Sequence, residues 1–314
     1  MYAITGASGF IGSHLENLLK EKRIDYRKIG RKNDSDFIIR DINSETNWYE
    51  ALKGVDTIFH LAGLAHCSKG KNNDKSKELH KEINFEGTKK LVKSALEMGV
   101  KKIIFLSTAK VYGEKSILGK KFDISSDLNP ADEYAASKLQ AENFLKTFSN
   151  KNDIDFVIVR TPIVYGPRMK ANFYNLFYLV YTGLPLPFEK IENKKSIIYV
   201  GNLVDFLYYC ALSKNALGKT FLISEKYSLS SQEIIKLISA SLKVPLIIFP
   251  FPLRFLKKLA FILGKKNHFC KLTDSFEIDP SESYKILSWN PPFDFYYSFK
   301  ITSEWFLKKV GKKF

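Results

Sequence analysis

The stretch ITGASGFIGSHL, residues 4–15, sets Gly6, Gly9 and Gly12 between an apolar run and an amphipathic one. YAIT (2–5) has the composition of a short strand, and 11–22 repeats apolar residues at helical spacing. A tight turn at Gly6 and bare backbone at the next two glycines would let a pyrophosphate approach closely. The start of the following helix then offers free N–H groups and a positive dipole end to the phosphates. Ser8, Phe10 and Ile11 complete the cradle. The spacing is G-x-x-G-x-x-G, one residue wider than the commonest fingerprint. Its place between strand and helix predicts a dinucleotide-binding α/β fold.

Outward from this loop the alternation continues. DYRKI (25–29), DFII (36–39), TIFHL (57–61), KIIFLS (102–107) and DFVIVR (155–160) read as strands, and 83–98 and 132–149 have helical spacing. Such alternation implies a doubly wound, Rossmann-type parallel sheet covered by helices on both faces. After Arg160 prolines cut the chain into shorter elements. A dinucleotide-binding domain is therefore expected over 1–166 and a smaller substrate-binding domain over 167–314. Within the latter, 202–213 and 219–223 read as helix then strand, so 197–224 is expected to return to the first sheet.

With 314 residues, 45% of them hydrophobic and 26% charged, the chain has the composition of a soluble globular protein. The net charge is +16, but the cations are spread along the chain and no nucleic-acid-binding motif accompanies them. Nucleic acid is therefore not expected as a partner, and a compositional bias toward Lys, Asn, Ile and Phe accounts for the excess equally well. Cys67, Cys210 and Cys270 lie far apart without C-x-x-C, which fits a reducing compartment and speaks against a disulfide framework or a metal site. No basic and apolar leader precedes the glycine loop and no apolar run reaches the ~20 residues of a membrane-spanning helix, so the expected location is the cytoplasm. The segment LIIFPFPLRFLKKLAFILGKK (246–266) mixes apolar and basic residues. It reads foremost as a core helix with snorkelling lysines, with peripheral membrane contact as the alternative.

Tyr-x-x-x-Lys occurs three times, at Tyr49/Lys53, Tyr134/Lys138 and Tyr296/Lys300, so the spacing alone decides nothing. Order does. TGASGFIG (5–12), HLAG (60–63), NFEGT (84–88), STAKVYG (107–113), YAASK (134–138) and RTPIVYGP (160–167) follow one another along the chain. This series resembles the extended short-chain dehydrogenase/reductase family, in its nucleotide-sugar epimerase, dehydratase and 4-ketoreductase branch, over essentially the whole chain. In that family the Tyr-x-x-x-Lys pair follows a Ser or Thr at a strand end, and only Tyr134/Lys138 does so. The other two pairs read as solvated.

The resemblance implies Tyr134 as the acid/base for an alcohol–ketone interconversion. A free tyrosine titrates near 10, and Lys138 one turn away is expected to lower that value. Lys138 would also hold the nicotinamide ribose, Thr108 would hydrogen-bond the reacting sugar oxygen with Ser107 able to share that task, and Asn84 would lie near the active site or serve as a buried polar residue. Asp41 and Ile42 would meet the adenine, and Leu61, Ala62 and Gly63, after His60, would line the cofactor. For the sugar nucleotide the resemblance points to Asn172 and Lys195, although many relatives carry Arg in place of Lys195 and Asp in place of Gly201.

The cofactor expectation comes from the second strand. It ends in Gly30-Arg31-Lys32 instead of an acidic residue, leaving room and charge for a 2′-phosphate; NADPH is expected ahead of NAD, with Arg31 as its partner. The resemblance implies foremost a reductase of a UDP-linked 4-keto-6-deoxy sugar, N-acetylated or not, serving surface polysaccharide synthesis, and NADPH fits that task. The alternative is a UDP-sugar 4-epimerase that retains NAD. A non-catalytic binder keeping only the cofactor site is a rival from another class, against which the Thr108, Tyr134 and Lys138 set speaks. Relatives often dimerise through the helix of the Tyr-x-x-x-Lys pair, so a homodimer is expected.

Overall fold

The computed structural model describes residues 1–65 and 73–311; Cys67 lies outside them. The chain runs β1 (Tyr2–Thr5), α1 (Phe10–Glu21), β2 (Tyr26–Gly30), β3 (Phe37–Ile38), a one-turn α2 (Tyr49–Leu52) and β4 (Thr57–His60). Then α3 (Asn73–His80) passes through a wide π turn (Lys81–Glu86) into α4 (Gly87–Glu97), followed by β5 (Lys102–Thr108), α5 (Glu133–Ser149), β6 (Asp155–Thr161) and β7 (Ile163–Tyr165). The remainder is α6 (Ala171–Tyr181), β8 (Ile197–Tyr199), α7 (Val200–Leu212), β9 (Lys219–Leu222), α8 (Ser231–Leu242), α9 (Leu253–Ile262), α10 (Lys266–Thr273), α11 (Ser281–Leu287) and α12 (Phe295–Gly311).

Seven parallel strands form one sheet in the order β3-β2-β1-β4-β5-β6-β9. Strand order reverses beside β1, which opens a crevice at the carboxyl ends of β1 and β4, the general ligand position in such sheets. The central strands are buried along their length, β4 completely, because helices cover both faces. One cluster, with Leu91, Val92, Ala95, Ala141 and Leu145, packs α4 and α5 against one face. The other, larger cluster joins α1, α7 and α8 to the aromatic rings of α6 and α12. β9 pairs with β6, so the chain rejoins the sheet after leaving it at residue 161. β8 does not: it pairs with β7 in a separate two-stranded sheet at the sheet's carboxyl edge.

One sequence expectation fails here. The 246–266 segment is not a core helix. Residues 246–252 run extended, α9 contains no buried residue, and its burial pattern is partial even on the inner side. Cys210 is a free thiol in the core, with burial pushing it well above the ordinary thiol range, and Cys270 is also unpaired. Among the described residues no helix is long and apolar enough to cross a membrane.

Candidate active site

The glycine loop joins β1 to α1. Gly6 has φ +70°, which favours glycine, and a Cβ there would stand 2.8 Å from the Ala62 nitrogen. A Cβ on Gly12 would stand 2.3 Å from the Gly6 carbonyl oxygen, so the loop folds tightly onto the helix start. Gly9 caps α1 without any side-chain hydrogen bond and the first turn holds no acidic residue, which leaves its N–H groups for an anion. Ser8, Phe10 and Ile11 sit half-buried in this turn. His14, one turn on, donates Nε2–H to the Pro167 carbonyl at 2.8 Å and ties the loop after β7 to the cradle.

A hydrogen-bond chain holds the neighbouring strand end. Thr88 donates to the Asn84 carbonyl at 2.7 Å, so it accepts from His60 Nε2, 2.9 Å away. His60 Nδ1 then accepts from Thr5 Oγ1 at 2.7 Å, and Thr5 accepts the Ala62 N–H at 3.3 Å. Burial, then the Lys138 charge, pulls His60 down to about 3, so it is neutral. His60 therefore serves packing, while Leu61, Ala62 and Gly63 form the partly exposed rim beside the glycine loop.

Asn84 occupies the π turn, buried, and all its polar atoms are engaged. Its Oδ1 accepts the Leu64 N–H at 2.7 Å, and its Nδ2 donates to the Leu64 carbonyl and to Ser137 Oγ, each at 3.0 Å. It clamps the rim to α5, as a positioning residue. A Cβ built on Gly63 would lie 3.0 Å from Asn84 Oδ1 and 3.2 Å from Lys138 Nζ, which brings these three residues together.

Asp132 caps α5 by accepting the Ala135 N–H at 2.8 Å and pairs with Lys110. Tyr134 follows in the first turn, partly exposed, with the His80 ring centroid 6.1 Å from its own. Lys138 is buried, donates to the Leu106 carbonyl at 3.0 Å and lies 4.5 Å from the Phe105 ring centre. Burial, partly offset by Glu142, brings it down to about 8. The expected lowering of Tyr134 does not occur in the protein alone. Burial, then the Asp132 charge, pushes it up to about 12, and the Lys138 ammonium is engaged by the Leu106 carbonyl.

Thr108 ends β5, buried, with Oγ1 accepting the Lys110 N–H at 3.2 Å. Ser107 does not share its position. Adjacent strand residues point to opposite faces, and Ser107 donates its hydroxyl to Glu142. Glu142 in turn holds the buried Arg160, which reaches Tyr112 Oη at 2.7 Å. That ion pair fixes α5 to β5 and β6 beneath the site.

At the end of β2 the picture is mixed. Arg31 and Lys32 are exposed, and Asp34 pairs back to Lys28 at 3.0 Å. Ser35, which the sequence did not single out, has a buried hydroxyl with no hydrogen-bond partner in the structure; its Oγ lies 2.8 Å from where a Gly30 Cβ would be, and Ser8 Oγ at 3.4 Å from that point. Asp41 is exposed and Ile42 half-buried against the α4-side core. A cradle closed to any Cβ, an ammonium at Gly63 and an orphan hydroxyl at the second strand end together fit an adenine dinucleotide.

The two sugar-side residues fare differently. Asn172 is exposed at the start of α6, beside Ala171 at φ +57°. Lys195 is buried and donates to the Asp274 carbonyl at 2.7 Å, while its backbone bridges Leu229 and Phe276. Its charge is engaged in tying those segments together, against the expectation of a phosphate contact. At Gly201 a Cβ would lie 2.4 Å from the Tyr199 ring, so the ring fills the space beside this glycine.

Comparison with known proteins supplies what geometry leaves open. The family model described as NAD dependent epimerase/dehydratase matches residues 2–224. A UDP-glucose 4-epimerase of Vibrio cholerae is 35% identical, with 97% of this chain and 95% of that protein covered. An N-acetyl-alpha-D-glucosaminyl-diphospho-ditrans,octacis-undecaprenol 4-epimerase of Escherichia coli O157:H7 is 29% identical over 84% of this chain and 81% of that one. Among solved structures, UDP-glucuronic acid 4-epimerase from Bacillus cereus in complex with NAD superposes with a TM-score of 0.75 at 20% identity, covering 98% of this chain and 99% of that one. None of these supports the ketoreductase that the resemblance suggested, or the preference for NADPH drawn from Arg31 and Lys32.

Proposed function

The chain belongs to the NAD dependent epimerase/dehydratase family, and on that premise we propose that it is a 4-epimerase of a UDP-linked hexose or N-acetylhexosamine that keeps its NAD through turnover. The observation carrying this reading is the convergence of Tyr134, Lys138, Thr108 and the Gly6–Gly12 cradle at the carboxyl edge of one parallel sheet. Whole-length similarity to a protein named as a 4-epimerase supports inversion over net reduction. The relative named for an undecaprenol-linked sugar supports a role in surface polysaccharide synthesis.

In this reading residues 1–166, with α7 and the returning β9, hold the dinucleotide, and the rest of 167–314 holds the sugar nucleotide. The α1 N-terminus binds the pyrophosphate, Ser35 Oγ meets a ribose hydroxyl, and Lys138 meets the nicotinamide ribose. NAD held by these residues would supply the acceptor and donor of the C4 hydride, and a positive charge that would favour the Tyr134 phenolate. Tyr134 takes the C4 hydroxyl proton during oxidation and gives it back during reduction. Thr108 orients that oxygen for both halves. Asn84 and Glu142 act through others, the first by holding the rim and the second by fixing α5.

The test is to release the cofactor from purified protein by acid and identify it, then incubate UDP-glucose and UDP-N-acetylglucosamine separately with no added cofactor. Bound NAD and a C4-inverted product from at least one substrate are expected. A protein that purifies empty and consumes NADPH against a 4-keto sugar would instead be a reductase.

A further inference from the structure

α9 presents two faces. Leu253, Leu256 and Ala260 recur at i, i+3 and i+7, are half-buried, and lie toward the body of the protein. Phe255, Leu259 and Ile262 recur at i, i+4 and i+7 on another side and are 63%, 52% and 78% exposed. Single exposed apolar residues are ordinary, but a continuous seam of three large ones marks a docking surface. The extended run before it exposes Ile247, Phe249 and Phe251 as well. Arg254, Lys257 and Lys258 flank the seam, and among the described residues none of the three forms a salt bridge.

Charge identifies the occupant. From Lys243 to Thr273 the chain carries seven Lys or Arg residues and no Asp or Glu. Two copies meeting at this surface would set like charges against each other, which opposes association. A sheet of anionic headgroups meets both demands, taking the apolar seam between its acyl chains and the cations at its phosphates. A ten-residue helix is only ~15 Å long and cannot span a bilayer, so it lies flat in the interface. We propose that α9, with the extended run before it, docks the protein on the surface of an anionic lipid bilayer. This inference does not depend on the reaction assigned above.

The full chain is tested by co-sedimentation with vesicles of phosphatidylglycerol and phosphatidylcholine, against vesicles of phosphatidylcholine alone. Binding to the anionic vesicles only, weakened by salt, is expected. The variant Phe255→Ser/Leu259→Ser/Ile262→Ser and, separately, Lys257→Gln/Lys258→Gln should each lower the partition coefficient ~10-fold or more. Melting temperature and bound dinucleotide should stay unchanged, since all five residues are exposed; should the seam variant melt early, the charge variant decides alone. Wild-type protein that stays in the supernatant with anionic vesicles overturns the proposal, as do variants that bind like wild type. If the seam variant instead dissociates an oligomer in sedimentation velocity and wild-type binding to vesicles is absent, the surface joins two copies.

Discussion

Lys138 and Lys195 are close to the same chemical object in two regions of the molecule. Both are buried, both donate to a backbone carbonyl, and burial brings both down to about 8. What surrounds them differs. Lys138 lies one turn past Tyr134, against Gly63 and below the glycine cradle. Lys195 joins 229, 274 and 276 in a knot of extended chain, where the Asp274 charge partly offsets its burial. A perturbed lysine is therefore no signature of a site by itself. The site is recognised by convergence of a proton carrier, a hydroxyl and an anion cradle on one sheet edge.

That contrast can be broken by substitution. Tyr134→Phe should lower turnover by ~10²-fold or more while bound dinucleotide and melting temperature hold, the scale of a lost general acid. Turnover within a few-fold of wild type would remove Tyr134 from the mechanism. Lys138→Met should also cost turnover, by ~10-fold or more, and in addition empty the protein of dinucleotide. Lys195→Met should do neither: its loss leaves the Asp274 carbonyl unpaired and should appear as ~1–3 kcal/mol of stability in denaturant titration. A tenfold rise in KM for the sugar nucleotide with kcat kept would show that Lys195 contacts substrate after all.

The buried carboxylates sharpen the same point. Glu142 is compensated by Arg160, whereas among the described residues Glu225 is held by the Tyr199 N–H and the Asn202 amide alone. Burial pushes Glu225 up to about 7, so the folded protein holds its proton more tightly than the unfolded chain. The stability this lends is fully present below the ordinary carboxylate range and is lost as pH rises through about 7. Glu225→Gln should flatten the pH dependence of melting across that window, and an unchanged slope would mean that the carboxyl ionises freely. The smallest effects belong to Tyr49→Phe and Tyr296→Phe, both exposed, whose turnover should match wild type.

The sheet was legible because its signals are local: a glycine loop after one strand, then repeated apolar runs of the right length. The choice of Tyr134 among three pairs needed motif order, which a single spacing does not carry. Ser107 was misplaced because two adjacent hydroxyls look alike in sequence, although strand alternation already sends them to opposite faces. The bond from Lys195 to the Asp274 carbonyl was not legible because nothing local announces a partner so far along the chain. The helix at 253–262 was misread because periodicity shows that apolar faces exist, not which of them the rest of the chain covers. Ser35 was invisible for a related reason: an orphan hydroxyl exists only once its neighbours are in place.

The central claim is that the hydride taken from C4 returns to C4 inside one closed site. Running the reaction in D2O with UDP-glucose or UDP-N-acetylglucosamine, without added cofactor, and reading the product by NMR tests it directly. Retention predicts a C4-inverted product with hydrogen, not deuterium, at C4. Deuterium at that carbon, or no product until NADPH is supplied, would contradict the account.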